Sequence, residues 1–285
     1  MKIKLISIFC LLLFMSGCAI FIHNETPTEE YKSPYATDVN GDYVPVHENV
    51  EESTLDPKLF YYDENGRMLY SDAEQLILTG IDVSVFQGDI DWESVAGDGI
   101  DFVMLRVGYR GYGAKGIMEV DANFLKNYHA AVNAGLDVGV YFYSQATNPT
   151  EAIEEANLVL DTIKELNITY PVAYDWEYVD NAVARTANMT GSEITECAKA
   201  FCDTVASAGY TSIIYFNCEI GYFEYDLALL TEYDFWLAEY GEYPSFLYDY
   251  KMWQYTADGR VDGINGSVDI NISLIDYAER IVNYG

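Results

Sequence analysis

Pro171-Val172-Ala173-Tyr174-Asp175-Trp176-Glu177 is an apolar run that finishes in two acids. Residues two apart in a strand point to the same side, so Asp175 and Glu177 face one way together. An acid inside an apolar strand is costly unless it is paired or used. The stretch therefore marks a buried strand and a candidate site at once.

Working outward, short apolar runs recur at 81–86, 102–107, 138–143 and 212–216. Helical stripes lie between them. Phe124, Tyr128, Ala131 and Val132 form one, Ile153, Ala156, Leu160 and Ile163 a second, and Ile194, Ala198, Phe201 and Val205 a third. Asp121 and Thr150 read as helix starts, Gly135 and Gly209 as stops. Strands alternating with helices argue for a parallel sheet covered on its outside. A fifth helix is expected around 220–230, after which apolar runs at 234–238, 252–255 and 268–270 follow too closely for full helices. The expectation is an α/β fold: an irregular (β/α) barrel of eight strands with about five helices, its last three strands lacking full helices.

Working residues of such barrels gather at the C-terminal strand ends and in the loops beyond them. Gly80-Ile81-Asp82-Val83-Ser84 puts an acid in the first strand, and Gly266-Ser267-Val268-Asp269-Ile270-Asn271 puts one in the last. First and last strands are neighbours in a closed barrel, so Asp82, Asp175, Glu177 and Asp269 can meet at one mouth. Clustered carboxylates suit glycoside cleavage, in which one protonated acid assists the leaving oxygen and another supports the oxocarbenium-like charge. Neighbouring negative charge raises one pKa so that a proton is held near neutrality. Oxygen ligands of this kind also suit a divalent cation. No Gly-rich phosphate loop or Lys/Arg clamp accompanies them, and neither a metal nor another cofactor is expected.

Composition narrows the field further. The chain has 285 residues, 15 Lys+Arg against 46 Asp+Glu and a formal net charge of −31. That charge repels nucleic acid phosphates and anionic lipid, so neither is an expected partner surface. The histidines are His23, His47 and His129, too few for a histidine-based nucleophile or a multi-histidine zinc site. Half the residues are hydrophobic, which excludes wholesale disorder.

At the N-terminus Lys2 and Lys4 precede an apolar run that ends in Ser16-Gly17-Cys18. A basic start, an apolar stretch and small residues at a cut site make an export signal. Because the small pair precedes a cysteine, the segment resembles a bacterial lipobox with Cys18 as the lipidated residue, although Met15 stands where Leu is usual. An uncleaved anchor and simple cleavage are the alternatives, and all three put the remainder outside the cytoplasm. Residues 1–17 are thus read as a lipoprotein signal peptide and 18–55, rich in Glu, Asp, Pro and Thr, as an acidic extracytoplasmic tether. Asp38-Val39-Asn40-Gly41-Asp42 opens like a calcium loop but has Tyr43 at the turn glycine and Asn49 at the bidentate acid. Residues 56–77 contain Asn65-Gly66 between aromatic runs, a hairpin signal. This hairpin resembles a single unit of bacterial wall-binding repeats, yet only one copy occurs, so a hairpin packing on the barrel is expected. Residues 78–285 form the barrel domain. Cys197 and Cys202, five apart on one expected helix, are too distant for a disulfide, and with Cys218 they read as buried free thiols.

Several stretches, in order, carry a family resemblance. Gly80-Ile81-Asp82-Val83-Ser84-Val85-Phe86-Gln87-Gly88-Asp89-Ile90-Asp91-Trp92 resembles the opening motif of the glycoside hydrolase family 25 lysozymes, the N-acetylmuramidases. Ala134-Gly135-Leu136-Asp137-Val138-Gly139-Val140-Tyr141-Phe142-Tyr143 is similar to the third-strand motif, and Asp175-Trp176-Glu177 matches the Asp-x-Glu pair. Trp253-Gln254-Tyr255 and the stretch from Gly263 to Asn271 resemble the closing motifs. The resemblance implies peptidoglycan glycan strands as substrate, Glu177 as general acid and Asp175 as the residue that orients the substrate's 2-acetamido group. It implies Asp82 and Asp269 as residues that tune the pair and bind sugar hydroxyls. Tyr141, Tyr174, Trp253 and Gln254 are candidates for groove contacts, and Arg106 for a partner of the carboxylates. Monomeric action at the cell envelope is expected. The alternatives are a non-catalytic wall-binding barrel and a chitinase-like glycosidase.

Overall fold

The computed structural model describes residues 33–282; the expected export signal and Cys18 lie outside the described residues. The strands and helices in chain order are β1 (Tyr35–Thr37), β2 (Tyr43–Pro45), β3 (Phe60–Tyr62), β4 (Met68–Tyr70), β5 (Leu78–Val83), α1 (Trp92–Gly97) and β6 (Phe102–Arg110). Then come β7 (Met118–Val120), α2 (Phe124–Asn133), β8 (Asp137–Ser144), α3 (Pro149–Ile163), β9 (Val172–Trp176), α4 (Gly191–Ser207) and β10 (Ser212–Asn217). The chain continues through α5 (Cys218–Phe223), β11 (Asp234–Ala238), β12 (Met252–Gly259), β13 (Val268–Ser273) and α6 (Tyr277–Val282).

Eight strands close a barrel in the order β5-β13-β12-β11-β10-β9-β8-β6, with β6 pairing back to β5 and β7 added at its edge. The expected fold is the observed one. Among the described residues five helices precede β11, and none intervenes between β11 and β13. Some local boundaries moved. The fifth helix ends at Phe223 rather than near 230, and Leu227–Leu229 forms a separate single 3-10 turn. Asp121 does not cap α2; its carboxylate bonds the Asn123 amide and the Arg106 guanidinium instead. α3 begins at Pro149, capped by Asn148 through the Glu151 N–H.

β13 runs antiparallel to both neighbours, β12 and β5. This reversal puts the start of β13 at the end of the barrel where the parallel strands finish, and Asp269 stands in register opposite Asp82. The eight residues between β12 and β13 explain the reversal, because a parallel crossover needs about a dozen residues or more.

Side-chain alternation sorts the barrel into an inner and an outer core. Phe102, Met104, Tyr170, Ala173, Ile213, Met252 and Tyr277 plug the interior below the mouth. Gly80 and Gly139 make room for this plug: a methyl group at Gly80 would overlap the Phe102 ring, and one at Gly139 would overlap Met104 Sδ. The outer core joins the sheet to the helices through residues such as Ala156, Val159, Ile194, Phe201 and Val205. Cys197 and Cys202 are buried there as free thiols, and Cys218 is a half-buried one.

Residues 34–53 depart from the expected solvated tether. Val44 is buried, Ser53 N–H donates to Leu247 O (2.9 Å), and Asp249 N–H donates to Glu51 O (2.9 Å). Beside them β3 and β4 form a two-stranded hairpin. Phe60 is buried with its ring edge-on to Trp253 (centroids 5.0 Å), and Met68 is fully buried. The physical reason lies in the missing helices. Without one over β11 and β12, the outward face bearing Trp253 and Tyr255 needs another cover, and burying a large apolar side chain stabilises by about 1.5–3 kcal/mol. No helix among the described residues is long and apolar enough to cross a membrane.

Candidate active site

The mouth opens into a cavity of about 1020 Å³ lined by Asp82, Asp175, Glu177 and Asp269 together. Three strands supply them. β5 carries Asp82, β9 carries Asp175 with Glu177 one residue past its end, and β13 carries Asp269. The Glu177 backbone is held from behind: its carbonyl accepts from Gln145 Nε2 (3.4 Å), and Gln145 Oε1 accepts from the Thr186 hydroxyl (2.7 Å).

All four carboxyls are pushed towards the protonated form, by burial first and then by one another. Asp82 rises from 3.8 to about 6 through burial, opposed by hydrogen bonds from Asn271 and Gln254. Asp269 rises to about 8 through burial and the Asp82 charge. Asp175 stands well above the usual carboxylate range through burial and the charges of Glu177 and Asp82. Glu177 is raised by burial and then by the Asp82 charge, while a hydrogen bond from Asp175 opposes the rise. Four like charges cannot crowd one poorly hydrated cleft, so Asp175 and Glu177 titrate as a unit that retains a proton.

Of the other residues expected at the site, Tyr141, Gln254 and Arg106 line the cleft. Arg106 bonds Asp121 through Nε (2.9 Å) and Nη2 (2.8 Å), and its guanidinium carbon lies 5.0 Å from the Phe86 ring centroid. Its hydrogen-bonded partner is thus Asp121; it acts on Asp175 only through charge.

Tyr174 and Trp253 are corrections. Tyr174 is fully buried on the outer face, where its hydroxyl meets Ser144 Oγ (3.1 Å) and its ring lies against Phe201. Trp253 is fully buried beneath Phe60 and donates to Glu239 O (2.7 Å). Alternation is the reason: with Asp175 and Gln254 facing inward, the residues directly before them face outward.

Sequence reasoning missed Tyr143, Tyr215, Trp236 and Tyr240, which also line the cleft. The same alternation could have found three of them. Tyr143 lies two residues from Tyr141, while Tyr215 and Trp236 occupy the inward register of β10 and β11. Phe86, Tyr112 and Tyr240 stand at the rim with 82%, 51% and 59% of their surface exposed, as faces for a sugar ring to stack on. No group of three or more His, Cys, Asp or Glu among the described residues has the geometry to hold a metal ion.

Residues 81–264 match the model of glycosyl hydrolases family 25. A 200-residue stretch is 28% identical to the autolytic lysozyme of Clostridium acetobutylicum, covering 68% of this chain and 55% of that protein. The modular autolysin LytC of Streptococcus pneumoniae superposes with a TM-score of 0.60 at 26% identity, over 84% of this chain and 56% of that one. A second structure of that autolysin, solved in complex with a synthetic peptidoglycan ligand, gives a TM-score of 0.58 at 26% identity over the same shares. The bacterial lysozyme of Streptomyces coelicolor shares the fold, with a TM-score of 0.57 at 23% identity over 72% of this chain and 95% of that one. The chain therefore spans little more than half the length of the clostridial and pneumococcal relatives. With four acids at the mouth of a barrel closed by an antiparallel last strand, and a family match over most of that barrel, the chain belongs to glycosyl hydrolase family 25.

Proposed function

We propose that the protein is a peptidoglycan hydrolase of the muramidase type, cleaving the β-1,4 bond between N-acetylmuramic acid and N-acetylglucosamine. The observation that carries this reading is the convergence of Asp82, Asp175, Glu177 and Asp269 on one open cleft. Lysozyme and autolysin relatives support the same substrate class.

In the proposed mechanism Asp175 receives the N–H of the substrate's 2-acetamido group. Asp175 Oδ1 is suited to this, being buried without a hydrogen-bond partner in the protein. A donor arriving there favours the ionised form of Asp175, and the proton it shared passes to Glu177. Glu177 then donates that proton to the glycosidic oxygen as the acetamido carbonyl oxygen attacks the anomeric carbon, so one C–O bond breaks while another forms. The leaving sugar departs as an alcohol. Glu177, now ionised, removes a proton from the water that opens the cyclic intermediate, which restores the acetamido group and the resting acid. Net addition of one water with retention of configuration follows. Asp82 holds negative charge beside the oxocarbenium-like centre, and Asp269 offers hydroxyl contacts there. Tyr141, Gln254 and Arg106 contact the bound glycan, and the rim aromatics stack on flanking sugars.

The protein is further proposed to act outside the cytoplasm as a monomer, after removal of residues 1–17 and lipidation of Cys18. In this reading residues 78–285 are the hydrolase domain, with the hairpin at 56–77 packed on it.

Purified peptidoglycan treated with wild type and with Glu177→Gln tests the function. New reducing ends on muramic acid with wild type, lost in the variant, are expected. Retained wall binding without cleavage by either protein would indicate a binding barrel. Reducing ends on N-acetylglucosamine alone would indicate the chitinase-like activity.

A further inference from the structure

Two amides converge on one carboxylate oxygen. Gln254 Nε2 and Asn271 Nδ2 each donate to Asp82 Oδ2 at 2.9 Å. Each amide is in turn held by its other edge. Trp236 Nε1 donates to Asn271 Oδ1 (2.8 Å), and the Tyr215 and Tyr240 hydroxyls donate to Gln254 Oε1 (3.0 and 2.9 Å). An indole N–H can only donate. Asn271 therefore cannot turn over without setting its own N–H groups against that of Trp236. Gln254, Asn271 and Trp236 are 3%, 0% and 2% exposed, so water does not replace a lost partner. Five hydrogen bonds from β10, β11, β12, β13 and the residue at 240 thus decide which edge of each amide Asp82 meets.

We infer that Gln254 and Asn271 are positioning residues that hold Asp82 as a fixed hydrogen-bond acceptor, and thereby as the resident carboxylate anion of the cleft. Trp236, Tyr215 and Tyr240 orient those two amides. An anion fixed in this way does not reorganise when positive charge develops on the sugar, which is how a preorganised site lowers a barrier. It also keeps protons on its neighbours. The groups around it are Asp175 and Glu177 from β9, Asp269 from β13, Tyr141 from β8, Tyr215 from β10, Tyr240 after β11 and Arg106 from β6. The directions agree: the two amides oppose the rise of Asp82, and the Asp82 charge helps raise Asp175, Glu177 and Asp269.

The catalytic benefit of this anion rests on the hydrolase reading, but its protonation does not, so substrate-free titration provides the test. Carboxyl carbons of ¹³C-Asp-labelled protein are followed against pH by NMR in wild type, Asn271→Leu and Trp236→Phe. The Asp82 midpoint is expected to rise by about one pH unit in Asn271→Leu, where a donor to the charged form is deleted. A smaller rise is expected in Trp236→Phe, which leaves Asp82 untouched and frees Asn271 to turn. The Asp269 midpoint should fall in both. The acid limb of kcat should move upward in parallel, a shift that simple loss of packing does not produce. Should Asn271→Leu not fold, Trp236→Phe alone decides, since it keeps an aromatic ring in place. Unmoved Asp82 midpoints in folded variants would overturn the inference. Shifted midpoints in a protein whose wild type releases no reducing ends would uphold it and remove the hydrolase reading instead.

Discussion

Asp82→Asn should make the protein more stable, and only at the upper end of the pH range. Asp82 titrates at about 6 in the folded chain against 3.8 as an ordinary carboxyl, chiefly because it is buried. A carboxyl raised in this way keeps a proton in the folded state that the unfolded chain has already released. Stability therefore falls as pH rises through that interval and stays reduced above it. Two pH units of displacement correspond to roughly 3 kcal/mol. Asparagine retains an oxygen for the Gln254 and Asn271 amides and carries no charge, so it removes the penalty while preserving the contacts. It also relieves Asp175, Glu177 and Asp269, each of which is raised by the Asp82 charge. The variant should exceed wild type by about 1–3 kcal/mol at pH 8, with the difference shrinking towards zero at pH 4. Urea unfolding followed by tryptophan fluorescence at pH 4, 6 and 8 measures it, and reducing-end release should fall in the same variant. Equal or lower stability at pH 8 would refute the claim that the cleft stores electrostatic strain, the usual stability cost of a working site.

Tyr174→Phe deletes a buried hydroxyl contact on the outer face, so stability should drop by about 1 kcal/mol while KM for glycan stays unchanged; a raised KM would return Tyr174 to the groove. Phe60→Ala empties a buried aromatic site against Trp253 and should cost about 3–5 kcal/mol in denaturant unfolding; a loss well under 1 kcal/mol would make the hairpin a passive appendage. With a net charge of −31 and an anionic wall as the proposed substrate, activity in turbidity assays should rise with moderate salt, as screening weakens repulsion. A monotonic fall from a few millimolar upward would contradict that account.

Much of this molecule can be read from local patterns, because alternation and helical spacing act over a few residues. The pairing of Asp175 with Glu177 needs only the two-residue period of a strand. The period that pairs them also turns Tyr174 outward, and the same holds for Trp253 beside Gln254. Those two errors came from reading aromatic residues by type rather than by register. The N-terminal segment was misjudged for a different reason. Residues 34–53 are polar in composition, and what orders them is the segment between β11 and β12 some 200 residues away, where Leu247 and Asp249 share backbone hydrogen bonds with Ser53 and Glu51, a partner with no local signature.

Local patterning thus settled the barrel and put acids in the right strands. Long-range closure decided the rest: the reversed β13 that brings Asp269 opposite Asp82, and the amide clamp on Asp82 assembled from β12 and β13. Proton affinity in the cleft belongs to this second class, because burial and the distances between charges on separate strands exist only once the sheet has closed on itself.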